Sequence, residues 1–319
     1  MVASYERIHY GLRPAKNVQR KMIVETLRRL AEFGAITSYR YVGFGSTYFS
    51  DFTLFHKTLG IRHMISIERD APNRKRFEFN RPFNCIQMLF GESSEVIPTL
   101  SWNAKTILWL DYDGSLVPSV LSDIRFFCAS ASAGSVIIVT VNAEPAELDV
   151  ESPRVDKLQK QLGKDRIPAD VKEQDLSDWG TARIFRRILT AEILATLSER
   201  NGALPDPLKI EYKQLFNFRY RDGDRMLTVG GLFYERGQNA IVAKCGFDQL
   251  EFIRSNPKPD SRPFVIEVPM LTYREIRHLD KQLPRARRSR LTAPKVSSAD
   301  IKRYESIYRY FPTFAETEV

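Results

Sequence analysis

The sequence predicts a mixed α/β fold, in which a mostly parallel sheet is covered by helices and closed by an antiparallel hairpin. From Tyr39 to Val141, short apolar runs bounded by turn residues alternate with helical stretches. The ends of those runs carry glycines or carboxylates. Further along, an Asp222-Gly223 turn joins two more extended segments, as expected of a tight hairpin. Strands buried on both faces of a parallel sheet read as near-continuous apolar runs of this kind.

The elements follow in order. Val18, Met22, Leu27, Leu30 and Phe33 recur at helical spacing from Pro14 to about Phe33, with Lys16, Arg20, Lys21, Arg28 and Arg29 on the other faces, which predicts an amphipathic helix. Tyr39 to Val42 reads as a first strand ending in the turn Gly43-Phe44-Gly45-Ser46. A helix over Asp51 to Leu59 then stops at Gly60, a natural C-terminal cap. The second strand, His63 to Ile67, runs into Glu68 and is followed by a helix from Pro72 to Phe79. The third, Asn84 to Phe90, closes on Gly91-Glu92-Ser93-Ser94. The fourth, Lys105 to Leu110, stops at Asp111-Tyr112-Asp113-Gly114. A helix from Val117 to Phe127 and a fifth strand, Ser135 to Val141, complete the parallel series.

Beyond a polar connection, Thr181 to Arg200 predicts a helix with Ile184, Ile188, Ala191, Leu194 and Leu197 on one face. Tyr212 to Tyr220 and Met226 to Tyr234 form the hairpin. Phe216, Phe218 and Tyr220 share one of its faces, to pack in the core or to wall a substrate. Thr272-Tyr273-Arg274-Glu275 fits a capping box opening a helix to about Leu283, and a last helix spans roughly Ser298 to Tyr310. Residues 1–38 thus form an N-terminal helical segment, 39–236 the sheet domain, and 237–319 a C-terminal appendage with a basic linker, Arg285 to Arg290. That linker is either solvated or a phosphate contact.

Composition narrows the function. The chain has 319 residues, 43% hydrophobic and 27% charged, which is ordinary for a globular protein. No apolar stretch reaches the roughly 20 residues a membrane helix needs, and the N-terminus lacks the apolar segment of a secretory signal. A cytoplasmic protein without membrane association is expected. Cys85, Cys128 and Cys245 are widely spaced and odd in number, which fits free thiols in a reducing compartment. The net charge of +9 admits nucleic acid as a partner, and a homodimer is admitted as well.

A strand, a glycine turn and a helix let backbone amides approach a polar cofactor closely, a role that Gly43 and Gly45 fit. By itself Gly-x-Gly also suits a purely structural turn. Glu68, at the end of the next strand, stands where α/β folds bind ribose hydroxyls. Glu92 and Asp111 end the third and fourth strands, so all of these groups share the carboxyl edge of the sheet, where ligands bind. Their alternative is solvated loop acids.

These residues resemble the class I S-adenosylmethionine (SAM)-dependent methyltransferase superfamily. Val42-Gly43-Phe44-Gly45 is similar to its first motif, Ile67-Glu68 to its ribose-binding acid, Gly91-Glu92-Ser93 with Ile97-Pro98 to its third motif, and Leu110-Asp111-Tyr112-Asp113 to its fourth. More closely, the stretches from Tyr41 to Phe52, Ile65 to Asp70, Leu108 to Leu116 and Gln214 to Gly231, with Leu12 to Lys16, resemble a bacterial family of predicted O-methyltransferases. The resemblance implies a Rossmann-like SAM-methyltransferase fold, with a seven-stranded sheet ending in the antiparallel hairpin, and SAM as cofactor. It implies that Gly43, Phe44, Gly45 and Ser46 line the methionine part, that Glu68 with Arg69 holds the ribose, that Glu92 and Ser93 lie beside adenine, and that Asp111 faces the methionine end and the acceptor. The sequence departs from the superfamily at the acid usual in the first strand, where Tyr41 or its neighbours stand, and at the third glycine, replaced by Thr47.

Methyl transfer is an in-line displacement that needs alignment and, for some acceptors, a base. Asp111, Tyr112 and Asp113 are the catalytic candidates. Asp113 is the candidate base, or else a helix cap. Amino-methyltransferases that act on flipped bases use an Asp/Asn-Pro-Pro-aromatic loop here, and Asp111-Tyr112-Asp113-Gly114 lacks it. A catechol-type metal site wants further oxygen donors after the fifth strand, where only Asn142 and Glu144 stand, so no metal is expected. His56 follows the glycine turn, as a satisfied histidine or one turned to the cofactor edge. The expected function is a SAM-dependent methyltransferase acting on oxygen, its acceptor unidentified. The alternative is a noncatalytic SAM-fold protein that binds nucleic acid or a protein through its basic surface.

Overall fold

One sheet of eight strands organises the computed structural model, which describes residues 13–147, 152–255, 258, 261–285 and 289–312. In chain order the elements are α1 (Pro14–Arg28), β1 (Arg40–Gly43), α2 (Ser50–Leu59), β2 (His63–Glu68), α3 (Arg74–Asn80), β3 (Ile86–Phe90), α4 (Ser93–Val96), β4 (Thr106–Ser115), α5 (Pro118–Ser130), β5 (Val136–Asn142), α6 (Arg154–Leu162), α7 (Gly180–Asn201), β6 (Ile210–Asp222), β7 (Asp224–Glu235), α8 (Asn239–Lys244), β8 (Phe264–Ile266), α9 (Tyr273–Asp280) and α10 (Ser298–Ile307).

The strand order is β3-β2-β1-β4-β5-β7-β6-β8. β1 to β5 pair in parallel, β7 runs antiparallel to β5, and β6 and β7 form the expected hairpin around Gly223, whose φ of 94° suits glycine. The chain winds outward from β1 to β3 and then crosses to β4 on the other side. The gap between β1 and β4 is therefore the topological switch point, where the loops diverge and leave a crevice. The sequence led us to expect seven strands. The eighth comes from the C-terminal segment: β8 adds in parallel to the free edge of β6, pairing Phe218 with Phe264 and Tyr220 with Ile266.

Alternation along the strands splits the apolar side chains between two cores. Tyr41, Ile107, Trp109, Val136 and Ile138 face α1 and α2, whereas Val42, Leu108, Leu110, Ile137 and Val139 face α5 and α7. Phe216, Phe218 and Tyr220 pack into the first core. A smaller cluster around Leu279, Leu291 and Tyr304 holds α9 and α10 together, and the capping box expected at Thr272 and Glu275 opens α9.

The amphipathic reading of α1 needs one correction. Val18, Met22, Ile23 and Leu27 are fully buried, each worth roughly 2 kcal/mol over exposure, but Lys16 and Arg20 are buried too, at 1% and 6% exposure. α1 lies against the sheet with β6 beside it, so the flank that carries these cations is also covered. Of the basic linker, residues 286–288 lie outside the described residues, as do residues 1–12 with Leu12 and the N-terminal segment read for a signal. Among the described residues no helix is long and apolar enough to cross a membrane, and the three cysteines form no disulfide, Cys128 and Cys245 being buried and Cys85 half-buried.

Candidate functional site

At the switch point, β1 ends at Gly43 and the chain turns tightly into α2. A Cβ on Gly45 would lie 2.5 Å from a Phe49 ring carbon and 2.7 Å from Ser66 Oγ, so only glycine fits without a shift. The Gly45 amide donates to Ser66 Oγ at 3.0 Å and the Ser46 amide to Glu68 Oε1 at 2.6 Å, which ties the loop to the end of β2. Ser46 and Phe49 adopt left-handed φ values of 51° and 46°. Such backbone costs of order 1–3 kcal/mol per residue and concentrates at ligand clamps. Ser46 Oγ is buried with no hydrogen-bond partner among the described residues.

This loop forms one wall of a cavity of about 170 Å³. Phe44, Gly45, Ser46, Glu68, Arg69, Glu92, Ser93, Asp111, Tyr112 and Asp113 line it together, whereas Gly43 and His56 stand outside the lining. Burial pushes the Glu68 carboxyl up to about 7, against the opposing effect of the Ser46 amide and with Asp70 adding to the rise.

A second wall is built by bonds invisible in local sequence. Tyr112 and Ser93 both donate to Asp123 Oδ2, each at 2.6 Å, and their hydroxyl oxygens stand 3.3 Å apart. Asp123 projects from α5 and is buried. Burial first, and then the Asp123 carboxylate, hold the Tyr112 hydroxyl well above the usual phenol range. The Tyr112 ring meets Phe44 edge-on, with centroids 5.1 Å apart, so Tyr112 is fixed as part of an aromatic wall.

The opposite end of the cavity is charged. Lys16 Nζ reaches from α1 to Asp111 Oδ1 at 2.5 Å and to the Tyr220 hydroxyl at 3.2 Å, and lies over the Trp109 ring at 4.7 Å. Burial, only partly offset by Asp111, lowers the Lys16 ammonium to about 8. Arg20, one turn further along α1, lines the cavity beside Asp51. Asp51, in the first turn of α2, accepts a hydrogen bond from the Tyr41 hydroxyl, and burial raises its carboxyl above the ordinary range. The carboxylate that the first strand lacks at Tyr41 therefore reaches the same end from α2. Asp113 lies exposed at the cavity edge, and α5 is capped at Val117, not by Asp113.

Lys16, Arg20, Asp51 and Asp123 were not among the site residues nominated from sequence. The family resemblance covers Lys16 and Asp51, but it reaches neither Arg20 nor Asp123, which on a helical wheel read as solvated charges. His56 lies away from this cavity, its Nδ1 2.8 Å from the Ile61 carbonyl oxygen and its ring against Phe83. Asn142 donates to Asp224 at 3.0 Å and Glu144 pairs with Arg225.

The fit to a sulfonium nucleoside is chemical. Among the described residues the lining has six carboxyls, Asp51, Glu68, Asp70, Glu92, Asp111 and Asp113, against the two guanidiniums of Arg20 and Arg69. An acidic cavity in a protein of net charge +9 attracts a cationic ligand. The half-buried Glu68 carboxyl facing the cavity suits vicinal hydroxyls, and the aromatic wall suits a flat base.

Comparison with known proteins places the chain further. The profile of a family described as "Putative O-methyltransferase" matches residues 8–319. No curated protein matches. Among solved structures, Trm1 from Pyrococcus horikoshii with S-adenosyl-L-methionine is similar at 10% identity and a TM-score of 0.44, over 70% of this chain and 57% of that one. The chain thus spans little more than half the length of that relative. A probable spermidine synthase from Corynebacterium glutamicum is similar at 8% identity and a TM-score of 0.41, over 80% and 83% of the two chains. SAM-bound CalS10, an amino pentose methyltransferase from Micromonospora echinaspora, is similar at 12% identity and a TM-score of 0.34, over 47% and 60%.

Proposed function

The chain belongs to the family described as "Putative O-methyltransferase", and from that premise we propose that it transfers the methyl group of SAM to an oxygen acceptor at the β1/β4 crevice. The observation that carries this reading is Glu68, a half-buried carboxyl at the end of β2 with one oxygen on the Ser46 amide. Its remaining acceptor capacity faces a cavity at the switch point. When bound, the cofactor supplies a methyl group made electrophilic by its sulfonium.

The chain's own residues do the rest. Glu68 accepts hydrogen bonds from the ribose hydroxyls, with Arg69 beside it. Gly43 and Gly45 give the backbone its close approach, and the Ser46 hydroxyl, which has no partner among the described residues, bonds the ligand. Phe44 and Tyr112, with Ser93 and Glu92 beyond, form the slot for the base, held in shape by Asp123. Asp111 orients the acceptor hydroxyl, its own direction fixed by Lys16. Asp113, exposed at the cavity edge, takes the acceptor proton. Alignment of the attacking oxygen with the methyl carbon is the main contribution asked of this frame.

The test is transfer of labelled methyl from SAM into a low-molecular-mass extract, with S-adenosylhomocysteine counted in parallel. Label in a base-stable ether or a base-labile ester, equal to the demethylated cofactor formed and lost in Glu68→Ala, is expected. A wild-type protein that binds the cofactor but forms no S-adenosylhomocysteine with any acceptor pool would overturn the assignment.

A further inference from the structure

Arg20 is an anomaly in the charged end of the cavity. It is 6% exposed and lines the cavity, yet it forms no hydrogen bond or ion pair with any described residue, and its Nε is buried without a partner. The two carboxylates near it are already engaged, Asp51 by the Tyr41 hydroxyl and Asp111 by the Lys16 ammonium. Asp51 offsets the Arg20 charge only at longer range than a hydrogen bond, so a bound anion would supply the direct partner that the guanidinium lacks.

The surroundings restrict what that anion is. Among the described residues acids outnumber bases on the lining, and the one other lining cation, Arg69, stands beside Glu68 at the nucleoside end. A simple polyanion would be repelled by Asp51, Asp111 and Asp113. A ligand that carries its anion together with cationic groups is not repelled. An α-amino acid has both within one carbon, and a guanidinium takes its carboxylate as a planar bidentate pair.

We propose that Arg20 binds the α-carboxylate of the methyl donor while Asp51 faces its α-ammonium, so that the site selects a donor with an intact amino acid end over a decarboxylated one. This rests on the cofactor reading above. Arg20 is then a specificity residue that α1 delivers into the sheet domain, which gives the N-terminal helix a part in donor recognition.

Calorimetric titration with S-adenosylhomocysteine and with its decarboxylated analogue, S-adenosyl-3-thiopropylamine, tests it, with thermal melts monitoring the fold. Wild-type protein is expected to prefer the carboxylated ligand by on the order of 10- to 100-fold. Arg20→Met should weaken that ligand by a similar factor and leave the decarboxylated one within about threefold, so the preference collapses. Arg20→Lys, which keeps the charge without the fork, should retain part of it. Equal wild-type affinity for the two ligands overturns the proposal, as does an Arg20→Met variant that weakens both by the same factor, since packing alone would do that. Binding of neither ligand by folded wild-type protein overturns the cofactor reading itself, and the proposal with it.

Discussion

Glu68→Gln is the most informative substitution, because one atom changes while the volume stays. In the wild-type protein Glu68 Oε1 accepts the Ser46 amide at 2.6 Å. If glutamine keeps that bond through its carbonyl oxygen, its amide group, a donor, faces the ribose hydroxyls in place of a carboxylate oxygen. One or two charge-assisted hydrogen bonds are lost, at roughly 1.5–3 kcal/mol each. S-adenosylhomocysteine should therefore bind on the order of 100-fold more weakly, given tenfold per 1.4 kcal/mol.

The same carboxyl sets a pH dependence. In the free protein it titrates near 7, raised by burial from its ordinary 4.5. The ionised form accepts from the diol, so wild-type affinity should rise about tenfold per pH unit up to that value and level off above it, whereas Glu68→Gln should be flat. Stability follows the opposite course. Between 4.5 and about 7 the folded chain keeps a proton that the unfolded chain has released, so the ligand-free protein loses stability as pH rises through that window, by up to ~3 kcal/mol. Glu68→Gln lacks this loss. Calorimetry and thermal melts from about pH 5.5 to about pH 8.5 read both effects. A variant that binds as tightly as wild type, or a wild-type affinity that falls as pH rises from 6 to 8, would refute the assignment of Glu68 to the ribose.

Two further expectations concern the frame around the site. Lys16→Met breaks a pair whose lysine is fully buried and whose Asp111 is 22% exposed, so the usual 3–5 kcal/mol for a buried pair is discounted to roughly 1–3 kcal/mol of unfolding free energy in urea. Adding Asp111→Asn should recover part of that loss, and strict additivity of the two would show that the pair does not couple. Asp123→Ala leaves the Tyr112 and Ser93 hydroxyls without their shared acceptor, at about 2–4 kcal/mol in stability. It should also weaken adenosine itself, and unchanged adenosine affinity would remove Tyr112 and Ser93 from the base-binding wall.

What was legible in the sequence was what local pattern encodes. Glu68 and Asp111 stood out because each directly follows a short apolar run, Glu92 because it follows the glycine that ends another, and Gly45 because a strand passes into a helix around it. Arg20 and Lys16 were misread because helical spacing alone assigns every cation to the solvent face. β6 and β7, about 200 residues away, close over the flank of α1 at Lys16 and Gln19, Arg20 turns into the cavity near Asp51, and the Lys16–Asp111 bond itself spans 95 positions. Asp51 stands in the first turn of α2, and nothing local in the sequence shows that it accepts a hydrogen bond from Tyr41, the residue at the strand position where the resemblance expects an acid. β8 is only three residues long in a proline-broken stretch, and the free edge of β6 supplies its pairing. β4 runs beyond Leu110 to Ser115 because an irregular register lets Ser115 pair with Asn142, which carries Asp111, Tyr112 and Asp113 on strand backbone.

The central claim is that the crevice between β1 and β4 is where SAM binds, and hydrogen exchange read by mass spectrometry with and without saturating S-adenosylhomocysteine tests it most directly. Slowed exchange concentrated in the loop around Gly45 and Ser46, at Glu68 and Arg69, at Gly91 to Ser93, at Asp111 to Asp113 and in α1 around Arg20 is expected. Exchange unchanged at these segments, or protection confined to another face of the protein, would contradict it.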